Sequence, residues 1–168
     1  ANLKGHEDEF DALVFGCGDA VPVFSENAGK QYNQDMLAVI KALGDKGKIM
    51  IGHCAAAMMF EIAGVAKGKK VAVFGLGDQV KYPDNFVDAI GYLAEAFVNR
   101  GAILIGYTSA EGYNFNQSQA LKKGMFMGLA LDIENQPDKT DERIRKWVDQ
   151  LKSEFEKDIS SADNSFNC

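Results

Sequence analysis

Two stretches of this chain place reactive or ligand-facing residue types at useful spacings. The first is FGLGDQVKYPDNF, residues 74–86. Gly75 and Gly77 present backbone without a Cβ, so a planar ligand could approach it closely. Asp78 and Gln79 offer an acceptor and amide groups able to pair with the imide edge of a ring. Tyr82, three residues beyond Gln79 and just before Pro83, could lay its ring against a flat cofactor. Such stacking is worth about 0.5–1.5 kcal/mol. The loop closes at Asn85. Asp84 reads as the N-cap of the helix that follows, with Asp88 favouring the dipole in its first turn. A G-x-G-D segment between strand and helix also serves as a plain turn, and the residues alone leave both readings open.

The second stretch is IGHCAAAMM, residues 51–59, which places Cys54 at the passage from a strand into a helix. The dipole there stabilises a thiolate and lowers the thiol pKa below its free value of about 8.5. His53 stands beside it and could assist. The alternative is a buried, inert core thiol. Cys17 reads as structural and Cys168 as a tail residue. Three cysteines and two histidines show no metal-ligand spacing, so no metal is expected. An odd, sparse cysteine set points to a reducing, cytoplasmic compartment.

These residues need elements to hold them, and the chain alternates strand and helix patterns. Strands are expected at 12–17, 48–53, 71–75 and 103–107, with a further strand-like run at 126–131. Helices are expected at 34–43, with Asn33 as N-cap, at 55–62 and at 84–98. A last helix opens at Thr140, with a stripe of Ile144, Trp147, Val148, Leu151 and Phe155. A polar segment at 108–124 separates the last two strand patterns. Apolar strands separated by helices imply a parallel sheet covered on both faces, a doubly wound α/β protein. Ligands bind such sheets at the carboxyl ends of strands. That points to the loops at 16–25, 52–57 and 75–85.

At 168 residues the chain is expected to form one domain, 1–168, with a frayed tail at 160–168. The net charge of −6 and the lack of a basic patch argue against nucleic acid, since Lys67, Lys69 and Lys70 read as a solvated turn. An acidic surface suits a basic protein partner, although solubility accounts for it equally well. No apolar run approaches the roughly 20 residues of a membrane span. The polar, acidic first ten residues read as neither signal peptide nor anchor.

From about residue 68 to 155 the chain resembles a long-chain flavodoxin. GKKVAVFGLGDQVKYPDNFVDAIGYL is similar to that family's fourth strand, flavin loop and following helix. LIGYTSAEGYNFNQSQALKKGMFMGLAL resembles the split fifth strand with the insertion that defines the long-chain class, and DIENQPDKTDERIRKWVDQLKSEF its closing helix. The resemblance implies a three-layer, flavodoxin-like fold that binds FMN. Tyr82 would stack on the isoalloxazine, and Gly77, Asp78 and Gln79 would line it. It also implies one-electron transfer with a basic partner, such as a pyridine-nucleotide reductase, docked on acids such as Asp132, Glu134 and Asp138.

The N-terminal part departs from that pattern. It has no Ser/Thr-rich phosphate loop, and its single tryptophan, Trp147, reads as core. EFDALVFGCGDA and GKIMIGHCAAAMMFEIAGVAKGKKV, about residues 8–71, resemble instead the PfpI/ThiJ superfamily, whose reactive cysteine sits at a strand-to-helix elbow. That resemblance implies Cys54 as nucleophile, but neither the family's glutamate nor its downstream histidine has a counterpart. The two resemblances meet at Gly68–Ala72, so the sequence reads as a composite.

In the phosphate loop's place, the 16–25 segment supplies Ser25 but also Asp19, whose carboxylate would repel a phosphate. The expectation is weak FMN binding carried mainly by Tyr82 and its loop. The alternatives are a Cys54-dependent enzyme and a hybrid scaffold with neither activity. With few strands to count, the 12–17 strand is expected at an exposed edge, where it would invite a homodimer.

Overall fold

Short runs of β-branched and aliphatic residues set the strands of this protein, and the longer stretches between them wind into helices. The computed structural model describes residues 3–15, 26–27, 29–52 and 54–157, apart from the side chains of Cys54, Ala55 and Met58. The chain divides into two compact units, Ala1–Lys69 and Lys70–Cys168.

In the first unit, β1 (Ala12–Phe15) and β2 (Ile49–Gly52) pair in parallel, with Leu13 opposite Met50. The pleat sends alternate residues to opposite faces. Phe15 packs edge-on to Phe60 at 6.1 Å, while Val14, Ile49 and Ile51 lie on exposed positions. The connecting helix α1 spans Gln31–Asp45 and buries Val39, Ile40 and Leu43. It starts three residues before the expected 34, with Lys30 as N-cap. Asn33 is therefore not the cap. It is buried inside the helix, where its Nδ2 donates to the Asn27 carbonyl at 2.7 Å. The first helical residues are polar and leave no apolar periodicity by which to place the start. A 3-10 turn, Cys54–Ala57, precedes α2 (Met58–Ile62), so the helix expected at 55–62 begins as a tighter winding. Met59, Phe60, Val65 and Ala66 complete this unit's core.

In the second unit, one extended run changes partner at Val73. β3 (Lys70–Ala72) pairs in parallel with β5 (Ile103–Ile105), and β4 (Phe74–Leu76) pairs in parallel with β9 (Leu129–Leu131). The Leu129 N–H donates to the Val73 carbonyl at 2.9 Å and carries the ladder across the break. β5 and β9 are thus two pieces of one split strand. The chain between them forms a small antiparallel sheet of order β6-β8-β7: β6 is Thr108–Ser109, β7 Leu121–Lys122 and β8 Met125–Phe126. The run expected at 126–131 is accordingly divided between β8 and β9.

α3 (Asp88–Asn99) starts four residues later than the expected 84 and buries Ile90, Ala94 and Phe97. Asp84 does not cap it; its Oδ1 accepts the Asn116 side-chain amide at 2.8 Å. Val87 stands at the cap with φ 48°, a strained conformation for a β-branched residue. α4 (Thr140–Glu156) opens at the expected Thr140. Trp147 packs with Leu129 and Leu131, and its Nε1–H donates to the Gly106 carbonyl at 2.7 Å. Of the rest of the expected stripe, Leu151 is half-buried and Ile144, Val148 and Phe155 are exposed. Among the described residues no helix is long and apolar enough to cross a membrane.

Candidate functional site

The loop that follows β4 is built by hydrogen bonds on three sides. Gly77 N–H donates to the Leu131 carbonyl at 2.9 Å, one rung beyond the β4–β9 ladder. The chain then turns on Asp78, whose Oδ1 accepts the N–H groups of Val80 at 3.0 Å and Lys81 at 2.8 Å. Tyr82 N–H closes the turn on the Asp78 carbonyl at 2.9 Å. These donors hold the Asp78 carboxyl below the usual carboxylate range; the Lys81 N–H contributes most, followed by the Asn135 side chain.

From the carboxyl end of β9, Asp132 reaches the same loop. Its Oδ2 accepts the Gln79 N–H at 3.1 Å, and its Oδ1 accepts the Asn135 N–H at 3.0 Å. Asn135 Nδ2 lies 2.9 and 3.0 Å from the two Asp132 oxygens and 2.8 Å from Asp78 Oδ1. Burial pushes the Asp132 carboxyl up, but the hydrogen bonds from Asn135 and Gln79 together outweigh it and leave the group below its ordinary value. Asp132 is wholly buried, and this corrects its expected place among surface docking acids. Glu134 and Asp138 are exposed.

The third side is the insertion between β6 and β7. Asn114 N–H donates to Gln79 Oε1 at 2.5 Å. Asn116 and Gln117 N–H groups share the Pro83 carbonyl at 2.8 and 3.0 Å. Ser118 Oγ donates to the Phe86 carbonyl at 2.6 Å, and Gln119 N–H donates to Asp88 Oδ1 at 2.7 Å. Behind these bonds Phe86, Tyr113, Phe115 and Phe126 form an aromatic cluster with centroids 5.3–6.0 Å apart. The Arg143 guanidinium lies over the Tyr113 ring at 4.1 Å.

Against this frame the expected site residues take definite places. Tyr82 keeps 50% of its surface exposed, with Lys81 Nζ 5.2 Å from its ring centroid. Gln79 is buried, and Asn114 engages its side-chain oxygen. Asn85 is exposed, and its N–H donates to the Tyr82 carbonyl at 3.4 Å. The two glycines face inward. A Cβ on Gly75 would lie 2.8 Å from Ile90, and one on Gly77 would lie 2.6 Å from Val87 and 2.8 Å from Phe86. Their missing side chains admit the packing of the following segment.

Ser25 and His53 lie outside the described residues, as do Cys17, Asp19 and Cys168. Cys54 opens the 3-10 turn after β2. Sequence reasoning named Asp132 only as a docking acid and passed over Asn135, so it missed both as supports of this loop. The available signal was an Asx-type pair, Asp then Asn three residues on, at the end of an apolar strand run.

Parallel strands linked by helices define an open α/β protein, and the glycine loop with its exposed aromatic stands at a strand's carboxyl end, the edge where such sheets generally take their ligands. The family model described as Flavodoxin matches residues 26–147, and the chain belongs to that family. A flavodoxin of Nostoc sp. is 60% identical over 88 residues, 52% of this chain and 52% of that protein. Protein ppBat of Bacteroides thetaiotaomicron is 70% identical over 76 residues, 45% of this chain and 43% of that protein. The chain spans about half the length of the curated relatives it matches. The solved structure of Fusobacterium nucleatum flavodoxin bound to flavin mononucleotide covers 86% of this chain and 98% of its own, with a TM-score of 0.59 and 23% identity. That likeness establishes the flavodoxin-like fold.

Proposed function

We propose that the protein is an FMN-binding electron carrier of the flavodoxin kind, with the flavin ring seated on the 75–85 loop. The observation that carries the reading is the half-exposed Tyr82 ring, on a loop whose backbone is already fixed by Asp78, Asp132, Asn135 and the insertion. A flat aromatic cofactor fits this arrangement, because the platform is formed before binding and little ordering cost remains. When bound, FMN supplies the electron chemistry. The chain's residues have the tasks of stacking, orienting and excluding water from one ring face.

Tyr82 is the stacking residue. Gln79 contributes through the loop backbone, because its side-chain oxygen is engaged within the protein, while Asp78 spends its Oδ1 on shaping the turn. The exposed carboxylates Glu134 and Asp138 suit a basic redox partner such as a pyridine-nucleotide reductase.

The deciding experiment is a visible absorption spectrum after FMN is added and dialysed away. Retained flavin bands with quenched flavin fluorescence support the proposal, and a colourless protein overturns it.

A second reading follows from the position of Cys54. It begins a helical turn directly beyond a strand, where the PfpI/ThiJ resemblance puts a nucleophile. A phase of iodoacetamide alkylation at neutral pH that is faster than for a model thiol, maps to Cys54 and is lost in Cys54→Ser supports a reactive cysteine. An ordinary rate removes that reading.

A further inference from the structure

Resting on the flavin reading above, we propose that Asp132 and Asn135 are positioning residues of the ring-binding loop, holding residues 77–81 in their ligand-ready shape. Neither residue belongs to the loop. Both stand at the carboxyl end of the neighbouring strand β9.

Asp132 is 0% exposed, yet its carboxylate is fully used: one oxygen holds the Gln79 N–H and the other the Asn135 N–H. A buried charge survives only when it is hydrogen-bonded in this way. Asn135 then does a second job. Its side-chain nitrogen lies within 3.0 Å of both Asp132 oxygens and 2.8 Å from Asp78 Oδ1, so one amide bridges two carboxylates that would otherwise repel. Asp78 in turn fixes the Val80 and Lys81 N–H groups at 3.0 and 2.8 Å. The chain of contacts therefore runs from the end of β9 to the peptide that leads into Tyr82.

Removing Asp132 leaves the Gln79 N–H buried and unpaired, and leaves the Asn135 side chain held by Asp78 alone, no longer anchored to the end of β9. The loop then spends more time open. A ligand that needs the closed form loses affinity in proportion to the closed fraction that remains.

The test compares Asp132→Ala, Asp132→Asn and Asn135→Ala with the parent chain by two measurements. Hydrogen–deuterium exchange at the Gln79 amide is followed in FMN-free protein, and FMN affinity is read from quenching of flavin fluorescence. Asp132→Ala is expected to speed Gln79 exchange and to weaken FMN binding, each by about tenfold, the size of one lost charge-assisted hydrogen bond. Asp132→Asn, which keeps an acceptor oxygen of the same reach, falls between. Bound flavin in Asp132→Ala retains more fluorescence because stacking on Tyr82 is looser. If Asp132→Ala does not fold, the exposed Asn135 carries the test, with a smaller shift in the same direction. Parent protein that binds FMN beside variants with unchanged exchange and affinity overturns this inference alone. Parent protein that takes up no FMN overturns the flavin reading and this inference with it.

Discussion

Asp132 Oδ2 accepts the backbone N–H of Gln79 at 3.1 Å, joining the first residue after β9 to the third residue after β4. The two strands are parallel neighbours, so their carboxyl ends emerge side by side and a short side chain spans the gap. Loss of this acceptor leaves the Gln79 N–H unpaired in a buried setting and takes the partner from the Asn135 N–H. Asp132→Ala should therefore lower unfolding free energy by about 1–3 kcal/mol. Urea denaturation followed by circular dichroism measures it.

The pH dependence follows from the same cluster. Asp78 and Asp132 both titrate below the ordinary carboxylate range in the folded protein. A depressed folded pKa gives stability that is present above the unfolded value, about 3.9 for Asp. It is lost as pH falls through the folded values beneath that. The melting temperature should therefore fall on acidification below about pH 4, and fall less steeply in Asp132→Asn. Calorimetry across that range distinguishes the two slopes.

On the proposed flavin site, Tyr82 should contribute to binding far more than to folding, because half of it is exposed and its neighbours hold the loop without its ring. Tyr82→Ala should weaken FMN by the value of one stacked pair, about 0.5–1.5 kcal/mol or roughly two- to tenfold in Kd. The melting temperature of the FMN-free protein should stay within a degree or two. Fluorescence titration and a thermal scan of the same samples test both halves.

Gly77→Ala should destabilise the protein with or without cofactor. The added methyl meets Val87 at 2.6 Å and Phe86 at 2.8 Å, and both are buried. Overpacking of this kind costs about 1–3 kcal/mol. A chemical melt without FMN gives the value, and an unchanged midpoint would show that the Phe86–Val87 segment shifts freely.

Trp147→Phe removes a hydrogen bond to the Gly106 carbonyl but leaves most of the packing on Leu129 and Leu131. The expected loss is about 1 kcal/mol. Near-ultraviolet circular dichroism and a denaturant midpoint check that the ring, and not the helix, accounts for the change.

The alternation of strands and helices was legible from apolar runs and their spacing. The start of α4 at Thr140 and the core place of Trp147 were legible too. Cap positions were harder to read. Asn33 and Asp84 are good cap residues by type, but each found a partner outside its own helix: the Asn27 carbonyl for one and the Asn116 amide for the other. Residue type alone does not reveal such competitors, one six residues away and the other 32.

The same limit applies to the site. The local turn from Gly75 to Tyr82 was visible in its residue types. Its supports at Asn114, Asp132 and Asn135 lie 35 or more residues away and come together only through strand pairing. Asp132 looks like a surface acid in the sequence because nothing local marks it as buried.

The partner change at Val73 has an evolutionary consequence. In the hydrogen-bond ladder, Ile105 opposite Ala72 gives way to Leu129 opposite Phe74 with only Val73 between them, as if the intervening segment were an optional cassette that recombination could delete cleanly. The core forbids so simple a deletion. Ala120, Phe126 and Met127 from that segment are buried with Phe86 and Ile90, and its backbone braces the tyrosine loop. A lineage that shortened this excursion would need larger side chains on α3 in the same step, and a new brace for the loop. The cassette is separable in topology but tied to the rest by volume, so its length and the residues beneath it should change together.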